Sequence, residues 1–363
     1  MATVPVISKS DKSYNIYIES DFSALSGLIE ERFSSSKKVC IVSDENVSKN
    51  YLNELENLLS PIYEIKTFII ESGEKSKNMD KALELAAFLF DDDFSRKDFV
   101  ISLGGGVVSD LTGFASSVYK RGIPFINIPT TLLAMADASI GGKTGVDYRG
   151  VKNIIGAFNM PCFVYMPLKT LQTLPDREYF AGFAEVMKAG LGFDAKFYMW
   201  LIENMYEICD KDEETVLNML TTAVGIKKSV VEKDPFENGD RALLNLGHTV
   251  GHALEAYFKG EYLHGECVAM GCVAAAFISW KKDMISMDEY YEIRDMFVPF
   301  NLPISFVSND YQAILDILRK DKKNTCKSVN MALLKRIGKA VMVSDVSDEL
   351  IVAALDELNF KEE

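Results

Sequence analysis

Short apolar runs, separated by polar residues, glycine or proline, recur through the first third of the chain. Their length and punctuation predict buried strands at residues 39–42, 65–70, 99–103 and 125–128. Residues 78–90 instead carry apolar side chains at helical spacing, and these form one predicted face made of Ala82, Leu83, Leu85, Ala86 and Leu89. The alternation of strands and helices predicts βαβ units and an α/β domain with a parallel-rich sheet.

From about residue 175 the pattern changes to the helical period. Helices are predicted at residues 182–191, 196–208, 213–233, 241–258 and 264–282. One exception is residues 330–343, where two apolar runs flank a polar turn and predict a hairpin. We therefore predict two domains, an α/β domain over residues 1–170 and a mostly α-helical domain over residues 171–363.

Composition and charge narrow the class of protein. The 363 residues are 48% hydrophobic and 25% charged, which is typical of a globular protein. The net charge of −14 opposes binding to nucleic acid and to anionic lipid. Because we find no apolar stretch long enough to span a membrane and no secretory signal, we expect a cytoplasmic protein without a membrane partner. The six cysteines form no C-x-x-C pair and are expected to be reduced thiols.

All three histidines of the chain fall within one short segment, at His248, His252 and His264. The first two are four residues apart, a spacing that places both imidazoles on one helix face and that divalent metal ions use. His264 opens the next apolar helix after a short loop at residues 259–263. Two antiparallel helices joined by this loop would bring the three rings to one cleft. The alternative is that they are packed or capping histidines.

A catalytic zinc ion usually takes three protein ligands, and a carboxylate is a common partner of two histidines. Glu185 lies in an apolar helical segment of small residues, where a lone carboxylate is costly to bury without a cation or a metal ion. An ion pair with Lys188 explains the same residue without a metal. Cys267, three residues after His264, is a rival ligand that equally suits a packed thiol.

Three segments that follow predicted strands carry residues suited to a nucleotide. Residues 103–110 contain three consecutive glycines before a helical run, and glycines let backbone amides approach a phosphate. Residues 72–77 follow a second strand, and Thr130 and Thr131 follow a third. Parallel strands end at one sheet edge, which is where α/β sheets bind nucleotides. For the glycine run alone, a tight turn is the alternative.

Several cationic residues lie in or near glycine-rich or apolar segments of this acidic chain. They are Lys143, Lys152, Lys188, Lys227, Lys228 and Arg241. Ordinary solvated helix faces account for Lys227 and Lys228, but they account poorly for Lys143 within Ile-Gly-Gly-Lys-Thr-Gly. A cleft lined by such residues binds an anionic substrate despite the net charge, because low-dielectric walls strengthen the local field.

Taken in order, the motifs resemble those of the 3-dehydroquinate synthase family. The matching runs, from about Asp44 to Lys323, are GGGVVSDLTGFAS, KRG, PTTLLA, DASIGGKTGV, KNIIGAF, TLPDREYFAGFAEVMKAG, LLNLGHTVGHALE and HGECVAMG. Two positions depart from the family pattern. Residues 234–237, Asp-Pro-Phe-Glu, stand where many members carry Asp-Glu-Arg-Glu, and Ala138 stands where a serine is frequent.

The resemblance implies that the α/β domain, residues 1–170, binds NAD and that the mainly α-helical domain, residues 171–363, binds zinc and substrate. It also implies a full set of site residues. The implied ligands of one divalent metal ion, zinc or alternatively cobalt, are Glu185, His248 and His264. The implied NAD contacts are Asp44, Asn46, Gly73, Glu74, Lys75, Lys77, Gly105, Gly106, Val107, Val108, Ser109, Asp110, Thr130, Thr131, Asp137, Lys143, Lys152, Thr170, Leu171 and Thr173. The implied substrate and catalytic residues are Arg121, Asp137, Lys143, Lys152, Asn153, Lys188, Lys227, Arg241, Asn245, His252 and Lys322. Of these, His252 is implied to lie near the substrate phosphate, and Arg121 to reach the site of a neighbouring subunit in a homodimer.

The same resemblance implies an NAD- and zinc-dependent carbon–oxygen lyase of the shikimate pathway, which leads to chorismate and the aromatic amino acids. It would convert 3-deoxy-D-arabino-heptulosonate 7-phosphate into 3-dehydroquinate and phosphate by transient oxidation, phosphate elimination, re-reduction and aldol closure. The rivals are another sugar phosphate cyclase, such as a 2-deoxy-scyllo-inosose or 2-epi-5-epi-valiolone synthase, a metal-dependent alcohol dehydrogenase, and a non-catalytic nucleotide-binding protein. Arg241 argues against the first rival, because a cation placed for a carboxylate is wasted on sugars that lack one.

Overall fold

The computed structural model describes residues 1–7, 13–237, 239–308, 310–321 and 328–360. The chain divides into two compact units, Met1–Leu174 and Pro175–Glu363, here called unit 1 and unit 2. The division follows Leu174 instead of residue 170. The intervening residues stay with unit 1 because the hydroxyl of Thr173 contacts the hydroxyl of Tyr51.

A seven-stranded sheet runs through unit 1, with the strand order β1-β2-β9-β6-β5-β3-β4. The strands of the unit are β1 (Ala2–Val6), β2 (Tyr14–Glu19), β3 (Lys38–Asp44), β4 (Glu64–Ile70), β5 (Phe99–Gly104), β6 (Phe125–Pro129), β7 (Lys143–Tyr148), β8 (Val151–Phe158) and β9 (Phe163–Pro167). β1 pairs antiparallel with β2, and every other neighbouring pair in this sheet is parallel. The four strands predicted from the apolar runs are confirmed as β3, β4, β5 and β6.

Helices cover both faces of this sheet, so its central strands are apolar in nearly every position. The helices are α1 (Leu25–Phe33), α2 (Glu45–Leu59), α3 (Met79–Asp91), α4 (Gly106–Val118) and α5 (Lys169–Gln172). Along β3, Val39 and Ile41 join the core with α1 and α2, whereas Cys40 and Val42 join the core with α3 and α4. Two separate cores thus hold the carboxyl edge of the sheet in place.

The predicted helix at residues 78–90 is α3, but one residue of its predicted face is wrong. Ala82, Leu85 and Leu89 are buried, whereas Leu83 is 58% exposed. The buried stripe follows the spacing i, i+3 and i+7, and Leu83 lies about a quarter turn away from it.

An antiparallel hairpin of β7 and β8 stands apart from the main sheet and was not predicted. Its strands contain glycines where the two backbones approach closely. A Cβ at Gly156 would lie 2.4 Å from the carbonyl oxygen of Thr144, so no larger residue fits there. These glycines conceal the strand pattern. Just before the hairpin, residues Ala134–Ala138 form a π-helical turn that carries Asp137.

Unit 2 is mostly helical, as predicted. Its elements are α6 (Asp176–Phe193), α7 (Ala195–Glu203), α8 (Met205–Cys209), α9 (Glu213–Lys233), α10 (His248–Phe258), α11 (His264–Lys281), α12 (Met287–Asp295), α13 (Tyr311–Asp321), β10 (Ser328–Arg336), β11 (Lys339–Ser347) and α14 (Asp348–Leu358). The predicted hairpin is confirmed as β10 and β11, which pair antiparallel. No helix in the described ranges is long and apolar enough to cross a membrane.

Two helices predicted as continuous are broken. The one predicted at residues 196–208 divides into α7 and α8 at Asn204. The one predicted at residues 241–258 is a 3-10 helix over Asp240–Asn245 followed by α10, because Gly247 adopts a left-handed conformation with φ of 78°. This break makes His248 the first residue of α10.

Close backbone packing joins α10 to α11 at Gly271. A Cβ at this position would lie 1.9 Å from the carbonyl oxygen of Gly247, so the two segments must separate to accept any side chain. We expect Gly271→Ala to lower the free energy of unfolding by about 3 kcal/mol. Denaturant unfolding of the metal-free protein measures the change.

The matched control is Gly225→Ala in α9, where an added Cβ meets no atom within 4 Å. At an unobstructed helical position, alanine should stabilise the chain by about 0.5–1 kcal/mol relative to glycine. Equal effects of the two substitutions would contradict the close approach of α10 and α11.

Candidate active site

Three helices of unit 2 bring Glu185, His248 and His264 together. Glu185 lies on α6, whose residues are continuously buried from Tyr179 to Gly192, and it is only 4% exposed. His248 and His264 are the first residues of α10 and α11. The backbones of α10 and α11 pack closely, since a Cβ at Gly251 would lie 2.9 Å from the carbonyl oxygen of Cys267, and the rings of His248 and His264 are 5.5 Å apart between centroids.

The distances in this cluster suit one small cation. Nε2 of His248 and Nε2 of His264 lie 3.4 Å and 3.5 Å from the same oxygen, Oε1 of Glu185. Metal–ligand bonds of zinc place the ligand atoms of a tetrahedron about 3.3 Å apart. The two imidazole–carboxylate separations therefore match the edges of a zinc site.

His252 belongs to the same group of side chains. Ligand atoms of His248, His252 and His264 all lie within 4.8 Å of one another. As predicted, the three rings share one location, so the geometry accommodates two ligand sets, one with Glu185 and one with His252. Cys267, the rival ligand, is fully buried in α11 and is not a member of this histidine group.

The second nitrogen of each ligand histidine has its own acceptor. Nδ1 of His248 lies 3.2 Å from the carbonyl oxygen of Leu246, and Nδ1 of His264 lies 3.3 Å from Oε2 of Glu255. An Nδ1–H bond of this kind directs the lone pair of Nε2 toward a metal ion. Glu255 was not predicted from the sequence, although a carboxylate three residues after His252 on an apolar helix indicates a partner for a histidine.

Charges around the cluster keep one ligand anionic and one imidazole neutral. Burial raises the pKa of Glu185, but Lys188, which pairs with its Oε2, and the two imidazoles hold that pKa well below its ordinary value. Burial and the nearby Lys188 lower the pKa of His248 to about 3. The pKa of His264 is about 9 because hydrogen bonds to Glu185 and Glu255 outweigh burial.

The raised pKa of His264 predicts that metal binding releases a proton. Near neutral pH the metal-free ring is protonated, and it must lose that proton to become a ligand, so we expect release of about one proton per metal ion. The release should decline as the pH rises through about 9, where the free ring is already neutral. Calorimetric titration with zinc in buffers of different ionisation enthalpy measures it, and no release at neutral pH would contradict the prediction.

Three predicted substrate residues of unit 2 are buried cations. Lys188, Lys227 and Arg241 have exposures of 3%, 7% and 2%. Burying a charge is costly unless an anion compensates it, and for Lys188 that anion is the carboxylate of Glu185. The predicted residue Lys322 lies outside the described residues.

The segment that departs from the family pattern holds Arg241. The carboxylate of Asp234 accepts the Arg241 amide at 3.1 Å, and the carbonyl oxygen of Pro235 accepts Nη1 of its guanidinium at 2.5 Å. Glu237 accepts the exposed side-chain amide of Asn245 at 3.2 Å. The side chains that hold Arg241 and Asn245 are therefore Asp234 and Glu237, which match the family pattern, while Pro235, which departs from it, contributes a backbone carbonyl.

In unit 1, the predicted cofactor segments meet at the carboxyl edge of the sheet. The chain moves outward from β3 to β4 and returns to place β5 on the other side of β3, so the sheet has its topological switch point between β3 and β5. Ligands of open α/β sheets bind at such a point. Asp44 ends β3, and the three glycines end β5.

The glycine segment begins α4 at Gly106, and no side chain caps this helix. The first amides of the helix therefore face the edge of the sheet without a side-chain acceptor from the cap. Val108 and Ser109 are buried, and the Ser109 amide donates to the carbonyl of Gly105 at 3.1 Å. Just after the first turn, Asp110 pairs with the buried Lys77 at 2.6 Å.

A second group of predicted residues surrounds Glu74. Its Oε1 lies 3.9 Å from Nζ of Lys77 and 3.6 Å from Nζ of Lys152 on β8. Asn153 adopts a positive φ of 52°, and its amide donates to Asp147 at 2.8 Å. Gly73, Lys75 and Lys143 lie at the surface, at the turn before Glu74 and at the start of β7.

The threonines of this edge differ in their roles. Thr131 accepts the amide of Ala134 at 3.2 Å, whereas the buried hydroxyl of Thr130 has no hydrogen-bond partner in the described part of unit 1. Thr170 donates to the carbonyl of Pro167 at 2.8 Å, and Leu171 is 1% exposed. Residues 170 and 171 therefore have no free side-chain group for a cofactor, and only their backbone remains.

Asp44 has a structural task in addition to its predicted one. Its carboxylate accepts the amides of Asn46 and Val47, which begin α2, at 2.9 and 3.1 Å, and it also accepts the hydroxyl of Ser72 at 2.9 Å. It thereby joins the ends of β3 and β4. Asn46 is exposed beside it.

Arg121 lies at the surface in a turn of unusual backbone conformation. Lys120 and Arg121 adopt consecutive positive φ values of 47° and 66°. The turn is held because Arg96 Nε donates to the carbonyl of Lys120 at 2.7 Å and the Lys120 ammonium donates to the carbonyl of Phe94 at 2.5 Å. The guanidinium of Arg121 is thus presented outward on a fixed turn.

Comparisons with known proteins agree with this arrangement. A model described as 3-dehydroquinate synthase N-terminal matches residues 67–181, and a model described as 3-dehydroquinate synthase C-terminal matches residues 182–324. A 3-dehydroquinate synthase of Acetivibrio thermocellus is 39% identical over 356 residues, which covers 97% of this chain and 99% of that protein.

Solved structures share the fold. A 2-epi-5-epi-valiolone synthase from Streptomyces hygroscopicus subsp. jinggangensis 5008, with NAD+ and Zn2+ bound, has a TM-score of 0.89 and 27% identity, over 97% of this chain and 98% of that one. A 2-deoxy-scyllo-inosose synthase has a TM-score of 0.88 and 22% identity, over 98% of this chain and all of that one, and shows the fold alone. The sequence matches a 3-dehydroquinate synthase over nearly its full length, and the chain belongs to the 3-dehydroquinate synthase family.

Proposed function

We propose that this chain is an NAD- and zinc-dependent carbon–oxygen lyase that converts 3-deoxy-D-arabino-heptulosonate 7-phosphate into 3-dehydroquinate and phosphate. The observation that carries the proposal is the convergence of two imidazole nitrogens on one buried carboxylate oxygen of Glu185. The identity of the proposed substrate rests on membership of the 3-dehydroquinate synthase family. The 2-epi-5-epi-valiolone synthase structure with NAD+ and Zn2+ bound supports the choice of cofactors.

The donor set of unit 2 fits a divalent cation. Glu185 would hold it together with His248 and His264, since a low pKa keeps the carboxylate anionic and the pKa of about 3 keeps His248 neutral. Two nitrogens and one oxygen are the ligands of many catalytic zinc sites, which retain an open position for substrate. Cobalt accepts the same ligands, and metal analysis decides between the two.

The carboxyl edge of the sheet in unit 1 fits a dinucleotide. The buried hydroxyl of Thr130 lacks a partner there, and the first turn of α4 has no side-chain cap. Amides at a helix N-terminus bind phosphate, and the pair of Lys77 and Asp110 holds this turn in place. Asp44 and Glu74 supply carboxylates for ribose hydroxyls at neighbouring strand ends.

When bound, NAD+ accepts and returns a hydride, and the metal ion acts as a Lewis acid on a substrate oxygen. The residues of the chain bind and orient the substrate. Lys227 and Arg241, both buried, provide positive charge for its carboxylate and phosphate ends. His252 is exposed on α10 beside both ligand histidines, where its imidazole can hold a proton against the leaving phosphate.

Orientation of the substrate by these side chains accounts for much of the rate, because the open-chain form closes its ring within the same molecule.

We further propose that the enzyme is cytoplasmic and works as a homodimer. The support for the dimer is Arg121, which the family resemblance assigns to a neighbouring subunit's site and which a fixed turn presents at the surface.

Parallel assays of phosphate release and of NADH absorbance test the proposed function. With 3-deoxy-D-arabino-heptulosonate 7-phosphate, we expect phosphate to accumulate while NADH does not, because the hydride returns to the substrate in every turnover. Turnover only of glucose 6-phosphate or sedoheptulose 7-phosphate would favour another cyclase. Net accumulation of NADH would favour an alcohol dehydrogenase.

A further inference from the structure

The position of His264 depends on the loop that precedes it. Residues 259–263 lead from α10 to α11, and the loop opens with two successive positive φ values, 50° at Lys259 and 92° at Gly260. His264 is the first residue of α11, so its amide is one of the first amides of the helix, which have no acceptor within the helix. Something beyond helical hydrogen bonding must therefore hold it.

The carboxylate of Glu266 supplies that hold. Its Oε2 accepts the amide of Leu263, the residue before the helix, at 2.7 Å and so satisfies one free donor at the start of α11. Its Oε1 accepts Nε of Arg177 at 2.7 Å, and Oε2 also accepts Nη2 of Arg177 at 2.8 Å. Nη2 donates in addition to the carbonyl of Glu261 at 2.8 Å. We call Glu266, Arg177 and the Leu263 amide the Glu266 clamp.

The clamp joins the two helices that carry Glu185 and His264. Arg177 is in the first turn of α6, and Glu266 is in the first turn of α11. Between them the backbones touch, because a Cβ at Gly265 would lie 1.7 Å from the carbonyl oxygen of Ala181, one turn before Glu185. A forked guanidinium bound to a carboxylate fixes direction as well as distance.

Glu266 itself is not placed to bind the metal. Both of its oxygens are engaged by Arg177, and the residue is only 7% exposed. A buried carboxylate with three donors at hydrogen-bond distance is a rigid support, and outer groups that orient a metal ligand commonly change metal affinity by about 10- to 100-fold.

We propose that Glu266 and Arg177 are positioning residues that hold His264 at the metal ligand distance from Glu185. The proposal rests on the metal site proposed above. It goes beyond that site by assigning metal affinity to a surface arginine and a capping carboxylate that contact neither metal nor substrate.

The test is the dissociation constant for Zn2+ of the purified full-length protein, measured by competition with a chromophoric chelator. We expect Arg177→Gln and Glu266→Gln to weaken binding about 10- to 100-fold. Arg177→Lys, which keeps the charge but loses the fork, should give an intermediate constant. Circular dichroism and thermal melting of the metal-free variants show whether each one is folded.

Glu289→Gln is the matched control. Glu289 occupies the corresponding position at the start of α12, where its Oε2 accepts the amide of Ser286 at 2.7 Å. This change should leave the zinc constant unaltered, since α12 contributes no ligand. An equal loss of affinity in Glu289→Gln would show that the effect is general destabilisation, and would overturn the proposal.

The remaining outcomes separate the two proposals. If the wild-type chain binds no zinc, or if His264→Ala binds it equally well, the metal site fails. If His264→Ala loses zinc while Arg177→Gln and Glu266→Gln bind as tightly as the wild type, only the positioning role is overturned. Should Glu266→Gln not fold, the graded series of Arg177 variants gives the answer.

Discussion

His264→Ala is expected to lose the metal ion and the activity together. The residue provides one of two imidazole nitrogens that lie 3.4 and 3.5 Å from Glu185 Oε1, and its removal leaves a carboxylate and a single ring. Lewis-acid stabilisation by a metal is worth several kcal/mol, so turnover should fall by about a thousandfold or more. The bound zinc should fall from about one ion per chain to a small fraction, as measured by elemental analysis after dialysis.

The control for this experiment is His252→Ala. The ring of His252 is 5.8 Å from that of His264, between centroids, and it is the alternative third ligand. If Glu185 completes the site, His252→Ala keeps its zinc and loses only the part of the rate that depends on the substrate phosphate. Loss of zinc in His252→Ala, with retention in Glu185→Gln, would replace our ligand set with three histidines.

Arg241→Gln is expected to separate substrate binding from metal binding. Arg241 is 2% exposed; the carboxylate of Asp234 accepts its backbone amide, and the carbonyl of Pro235 accepts Nη1 of its guanidinium. A charge-assisted hydrogen bond contributes about 1.5–3 kcal/mol, so kcat/KM for the carboxylate-bearing substrate should fall roughly a hundredfold. The zinc content should remain that of the wild-type enzyme.

A surface arginine provides the comparison for that variant. Arg294 pairs with the adjacent Asp295 at 2.7 Å and is distant from the predicted substrate residues in the chain, so Arg294→Gln should leave kcat/KM unchanged. If Arg241→Gln loses zinc in proportion to its activity, Arg241 acts on the metal site and its role in binding a carboxylate is wrong.

The sequence was informative where apolar runs are long and evenly punctuated. β3 to β6 and the helices α3, α6, α9 and α11 follow from period alone, because burial on one or both faces imposes that period. The hairpin of β7 and β8 did not follow. Its glycines Gly145 and Gly156 are needed for close backbone approach, and they remove the alternation that marks a strand.

Local backbone conformations are the second feature that the sequence did not predict. The helix predicted over residues 241–258 ignored Gly247, since a glycine within an apolar helical period is often tolerated. In the structure its positive φ ends one helix and begins another at His248. That break makes His248 the first residue of α10, where its Nδ1 lies 3.2 Å from the carbonyl oxygen of Leu246.

The residues of the candidate site were also predicted only in part. Clustering of the three histidines was visible in the sequence, and the geometry brings them together. Glu185 was identified by burial cost and family resemblance, since it is far from the histidines along the chain. Glu255, Glu266 and Arg177 were missed because their roles depend on contacts between helices that periodicity does not specify.

Anomalous diffraction at the zinc absorption edge, from crystals of the zinc-loaded protein, tests the ligand set most directly. We predict one peak per chain, about 2.0–2.2 Å from Nε2 of His248, Nε2 of His264 and a carboxylate oxygen of Glu185, with the ring of His252 outside the coordination sphere. A peak coordinated by all three histidines, with Glu185 paired to Lys188 alone, would contradict the account.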